Sequence, residues 1–122
     1  SCLAGWGGSL SDFDIYALDA YRLAWRDPDC IRAMCNDYRA AIDIDFSLDA
    51  SDQNTEIKTP TLIMYGKDGV MGKEYDVPDT WASRLKTMQS KAMPGGHFFP
   101  DTHPQETAVT VRAFLMSTAE PG

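Results

Sequence analysis

The sequence predicts an α/β fold in which a parallel sheet is crossed by helices. Three observations carry it: a first half with apolar residues at helical spacing, an uninterrupted apolar run at Thr61-Leu62-Ile63-Met64-Tyr65, and a second half ordered strand, helix, strand, helix. Ser11-Asp12-Phe13-Asp14 reads as a variant capping box, and Ile15, Leu18, Tyr21 and Trp25 follow at helical spacing, which predicts a helix over about 12–26. Asp27-Pro28 suits the start of another, with Asp as cap and Pro in the first turn. Ile31, Met34, Cys35, Tyr38 and Ile42 mark its apolar side to about Ile44. Phe46–Asn54 reads as a short third helix.

After Lys58-Thr59-Pro60 the pattern changes. The run from Thr61 to Tyr65, rich in β-formers and ended by Gly66, reads as a strand buried on both faces, the kind found in parallel sheets. Residues 67–78 read as a loop with Gly69 and Gly72. Asp79-Thr80 opens a helix through Trp81, Leu85 and Met88, and Ser90–Met93 reads as a short strand before Pro94-Gly95-Gly96-His97. Thr102-His103-Pro104 caps a last helix whose apolar face is Ala108, Val111, Phe114 and Leu115. Two strands do not make a self-sufficient parallel sheet, because both faces and both edges need cover. Together with an amino end, Ser1-Cys2-Leu3-Ala4, that has neither an initiating Met nor a signal-peptide charge pattern, this predicts a segment of a longer polypeptide.

Composition narrows the function classes. The 122 residues are 43% hydrophobic, one small domain's worth of core-forming chain. A net charge of −7 opposes tracking of phosphate backbones or anionic membrane, so neither nucleic acid nor membrane is an expected partner. No apolar stretch approaches the roughly 20 residues of a spanning helix. Cys2, Cys30 and Cys35 are too few and too irregularly spaced for a disulfide framework or a zinc site, which suits a reducing, cytoplasmic setting. Gly5, Gly7 and Gly8 lack the strand and the Lys-Ser/Thr of a phosphate loop, and the acidic stretch Asp43, Asp45, Asp49, Asp52 lacks the spacing of a calcium loop; it reads as a solvated face.

Ligands of open α/β sheets bind beyond the carboxyl ends of the strands, so the loops after Tyr65 and Met93 are the places to look. His97 stands behind Gly95-Gly96, where two residues without Cβ let the chain turn sharply and hold an imidazole at the rim of the sheet. Phe98-Phe99 can shield it from water. A histidine that satisfies a turn hydrogen bond fits the same spacing. His103, before Pro104, reads as a capping or surface residue. Asp68 stands where a carboxylate could orient His97 through its second ring proton, although a solvated turn aspartate before glycine is the commoner arrangement. Neither a Gly-x-Ser-x-Gly nor a Gly-x-Asp-x-Gly elbow occurs, so a hydrolytic nucleophile is lacking.

The segments Asp27-Pro28, Cys35-Asn36-Asp37-Tyr38-Arg39-Ala40, Pro60 to Gly66 and Gly95-Gly96-His97-Phe98-Phe99 resemble the carboxyl-terminal portion of haloacetate (fluoroacetate) dehalogenases of the α/β-hydrolase superfamily, over nearly the whole chain. The resemblance implies that residues 1–56 are the end of a helical cap domain and residues 57–122 the last two strands and helices of the hydrolase core. It implies that His97 is the base that activates water to hydrolyse an aspartyl ester formed as halide leaves a small haloacid. It implies that Tyr38 donates a hydrogen bond to the departing halide; by spacing alone, Tyr38 is a helix-face tyrosine that packs into a core. No metal or other cofactor enters this chemistry, and the nucleophile and the orienting acid are expected before Ser1.

The implied partners are the haloacid, the rest of the hydrolase or another chain covering the sheet edge, and a second copy in a homodimer. The alternatives are an epoxide or ester hydrolase of the same fold, which would differ in residues upstream, and a stand-alone, non-catalytic interaction module, which would be a soluble oligomer without halide release.

Overall fold

The computed structural model describes residues 2–119. Helix α1 spans Cys2–Gly7 and a single 3-10 turn Leu10–Asp12 follows. The capping box sits two residues earlier than the sequence suggests: Ser9 is the cap, its Oγ accepting from the Ser11 N–H at 3.3 Å while the Asp12 carboxylate accepts from the Ser9 N–H at 3.1 Å. Phe13 then adopts extended backbone (φ −90°, ψ 144°), which separates this turn from α2, Ile15–Ala24, and shortens the expected 12–26 helix.

Helix α3 spans Pro28–Ala40. Asp27 caps it, its carboxylate accepting from the Asp29 N–H at 2.9 Å, and Pro28 fills the first turn where no N–H is needed. A π-turn at Ala41–Asp45 leads straight into α4, Phe46–Ser51, with αR backbone at both junctions. Ile31, Met34, Cys35, Tyr38 and Ile42 were expected to be a packed stripe; all five are exposed, Tyr38 at 75% and Ile42 at 76%. The helical backbone runs on through the π-turn into α4, so α3 does not fold back to bury its own apolar side.

Strand β1, Thr61–Gly66, opens the second half. Residues 67–88 depart from the predicted loop and single helix: they hold two short helices, α5 at Val70–Glu74 and α6 at Val77–Ala82. Asp76 caps α6, accepting from the Asp79 N–H at 3.0 Å, and the helix ends at Ala82. Leu85 and Met88, whose spacing from Trp81 predicts a helix face, are instead extended chain. Leu85 is buried in an isolated parallel bridge with Ile57, and Met88 is the first residue of β2, Met88–Met93, two positions earlier than expected. The strands pair in parallel from Thr61 opposite Met88 to Gly66 opposite Met93. Helix α7, Phe99–Thr102, adds one turn that the sequence reading did not anticipate, and α8, Pro104–Thr118, follows.

The chain divides into two compact units, one formed by Ile15–Thr55 and the other by the residues up to Asp14 together with those from Glu56 onward. Residues 2–14 thus group with the strands and not with the helices that follow them. In the strand-bearing unit Leu3, Phe13, Val77, Leu85 and Met93 are buried, Met93 most deeply at 1% exposure; in the helical unit Leu18 is buried. Strand β1 is half-buried from Thr61 to Tyr65 rather than enclosed on both faces, because among the described residues it has a single neighbouring strand. The expected apolar face of α8 is likewise open: Phe114 is half-buried, whereas Ala108, Val111 and Leu115 are exposed. Among the described residues no helix is long and apolar enough to cross a membrane.

Candidate functional site

The loops that leave β1 and β2 lie side by side, as parallel pairing in register requires. The Lys67 N–H donates to the Met93 carbonyl at 2.9 Å and extends the ladder by one rung. Asp68 then engages Gly95 twice: its N–H donates to the Gly95 carbonyl at 3.0 Å, and its carboxylate accepts from the Gly95 N–H at 3.0 Å. Two glycines permit this approach. A Cβ at Gly66 would stand 2.0 Å from the Gly96 carbonyl oxygen, and Gly95 has φ +88°, left-handed backbone in which a side chain would be strained. A Cβ at Gly95 would also fall 2.9 Å from the His103 ring.

His97 emerges from this turn with its backbone tied to α1, its N–H donating to the Trp6 carbonyl at 3.0 Å. The imidazole meets two aromatic rings edge-on, Trp6 with centroids 5.7 Å apart and Phe98 at 5.0 Å, a geometry that matches the positive rim of one ring to the negative face of another. His97 itself remains exposed. It borders a cavity of about 410 Å³ whose wall is mainly apolar, with Tyr65, Val70, Trp81, Phe99 and Trp6 among its lining. An imidazole at the edge of such a cavity can take a proton from a water molecule.

The other candidates fall as follows. The Asp68 carboxylate binds the Gly95 N–H, so it acts on the turn that carries the histidine instead of the ring proton considered for it. His103 packs over Gly95, its Nδ1 within 2.9 Å of the Thr102 hydroxyl, and its carbonyl receives both the N–H and the hydroxyl of Thr107; it serves the start of α8. Tyr38 lies on α3 in the helical unit with its side chain exposed in this chain. Trp6 is the residue that sequence reasoning missed. Its signal was the lone aromatic within Gly5-Trp6-Gly7-Gly8, a segment considered only as a phosphate loop.

No protein-family profile matches the chain. Over 115 residues, 93% of its length, it is 44% identical to a fluoroacetate dehalogenase from Burkholderia sp, of which it spans 38%. Among solved structures, a protein from Nostoc sp PCC 7120 assigned to the alpha/beta hydrolases superposes with a TM-score of 0.88 at 38% identity, the match covering 93% of this chain and 39% of that one. A protein from Salmonella enterica assigned as an acyltransferase superposes with a TM-score of 0.89 at 30% identity, covering 97% of this chain and 39% of that one. The chain therefore spans under two fifths of each relative.

Proposed function

We propose, from the premise that this chain is the carboxyl-terminal portion of a haloacetate dehalogenase-like α/β-hydrolase, that it supplies the base and a halide-facing phenol for hydrolysis of the carbon–halogen bond of a small haloacid such as haloacetate. The observation that carries this reading is the placement of His97: beyond the carboxyl end of β2, behind a turn built on Gly95-Gly96, at the wall of the 410 Å³ cavity. In the proposed reaction an aspartate carboxylate attacks the carbon that bears the halogen. A carbon–oxygen ester bond forms as the carbon–halogen bond breaks, and the halide leaves with the bonding pair. Water then adds to the ester carbonyl while His97 takes its proton. The bond from the carbonyl carbon to the alkoxide then breaks, the alkoxide takes the proton from His97 and leaves as the 2-hydroxyacid, and the aspartate carboxylate is restored as its acid proton passes to solvent.

The nucleophile is assigned to the rest of the hydrolase, since none of the 122 residues forms the required elbow. Of residues 1–56, expected as the end of a cap, the unit Ile15–Thr55 is assigned to a helical cap, from which the exposed phenol of Tyr38 donates to the departing halide. The setting is cytoplasmic, in keeping with the free thiols of Cys30 and Cys35. The test uses the full-length hydrolase that contains these residues. Fluoride or chloride release from the haloacetates is expected, and in the His97→Ala variant mass spectrometry should show the nucleophile carrying one carboxymethyl group. An unmodified variant that still binds substrate would remove His97 as the base, and a wild-type protein that opens epoxides or cleaves esters without releasing halide would replace the substrate class.

A further inference from the structure

We infer that Asp68 is a positioning residue for His97, acting through the backbone of Gly95 and not through the imidazole. The inference rests on the assignment of His97 as the base and adds a second residue to it. Three features of the two post-strand loops lead there.

Both polar backbone groups of Gly95 are occupied by the same residue. The Gly95 N–H donates to the Asp68 carboxylate and the Gly95 carbonyl accepts from the Asp68 N–H, each at 3.0 Å, across 27 positions of sequence. Such a two-point attachment fixes the peptide plane on both sides of Gly95, whereas either bond alone would leave one side to rotate. The attached residue is also the one with φ +88°, the single position of the turn where the backbone is both left-handed and free of a side chain to hold it. Glycine is the residue with most conformational freedom to lose, so an external clamp has most effect there. Finally, the space around the clamp is already closed on the side of Asp68's own loop. A Cβ at Gly69 would lie 3.1 Å from the His97 N, and one at Gly66 would overlap the Gly96 carbonyl. A rotation of the Gly95 peptide must therefore be taken up towards His97 and the Trp6 carbonyl that receives its N–H.

The chemistry of the acceptor separates this role from that of an acid that orients the ring. A backbone clamp needs an oxygen acceptor, which an asparagine side chain keeps. Orientation and stabilisation of an imidazolium needs the carboxylate charge, which asparagine lacks. In the full-length hydrolase Asp68→Ala is expected to slow ester hydrolysis about tenfold, the scale of one charge-assisted hydrogen bond, with ester formation and KM for the haloacid near wild type. Asp68→Asn is expected to restore the rate to within about twofold, because the acceptor returns.

The second measurement needs no turnover. Hydrogen exchange at the Gly95 amide should be accelerated about tenfold in Asp68→Ala and remain slow in Asp68→Asn. An Asn variant as slow as the Ala variant, an equal slowing of ester formation, or unchanged Gly95 exchange in the Ala variant would each overturn the inference. Lack of halide release by the wild-type protein would count against the dehalogenase reading alone, and the exchange measurement would still decide the clamp. If Asp68→Ala does not fold, the Asn variant decides it through its hydrolysis rate and its Gly95 exchange.

Discussion

Gly66 shows how a single missing Cβ governs the site. It ends β1 and faces the Gly96 carbonyl so closely that any side chain must push the histidine loop away. Gly66→Ala is expected to destabilise the protein by about 1–3 kcal/mol, the range of an overpacked contact that relaxes only by backbone movement, and to lower turnover. Urea unfolding of variant and wild type checks the first, halide release by the full-length hydrolase the second; an unchanged midpoint would show that the loops part without cost. Tyr38→Phe belongs to the same scale. Its ring is exposed, so little stability should be lost, whereas on the role proposed for its phenol the full-length hydrolase is expected to release halide roughly tenfold or more slowly. Rapid-quench halide measurement would detect it, and an unchanged rate would take Tyr38 out of the site. The placement of His97 beyond a strand end was legible in the sequence because Gly-Gly-His after a short strand is a local pattern with a physical meaning. Trp6 and the true partner of Asp68 were not, since each contact joins residues far apart in the chain that no spacing rule brings together.

At the scale of the elements, helix starts were read better than helix ends. Asp27-Pro28 opens α3 as its chemistry dictates, and Asp27→Ala is expected to cost about 1 kcal/mol through loss of the bond from the Asp29 N–H. Thermal unfolding followed by helical circular dichroism would report it as a lowered midpoint, and no shift would mean that α3 is held by contacts elsewhere. The errors have a common physical origin. Trp81, Leu85 and Met88 recur at helical intervals, yet Leu85 is buried by bridging Ile57 in extended chain, and two intervals are too few to establish a period. Both strands were recognisable because β1 combines a continuous apolar run with a terminal glycine, and β2 precedes the Gly-Gly turn. That two strands leave both faces short of cover was likewise readable from their number, and the half-buried residues of β1 agree with it.

For the molecule as a whole, exposure is the dominant physical fact. Leu23, Phe46 and Met116 are each 70% or more exposed, and apolar surface of this extent favours association. Produced alone, the 122-residue chain is expected to self-associate, more strongly as salt screens its net charge of −7. Light scattering across protein and salt concentrations would check this, and a salt-independent monomer would contradict it.

The link from the His97 amide to the Trp6 carbonyl has a practical corollary. Trimming away Cys2–Gly7 would leave each strand and the whole Gly-Gly bend intact, yet it would cut the imidazole's mooring. A shortened version chosen from the strands alone would keep the architecture and mislay the alignment of His97.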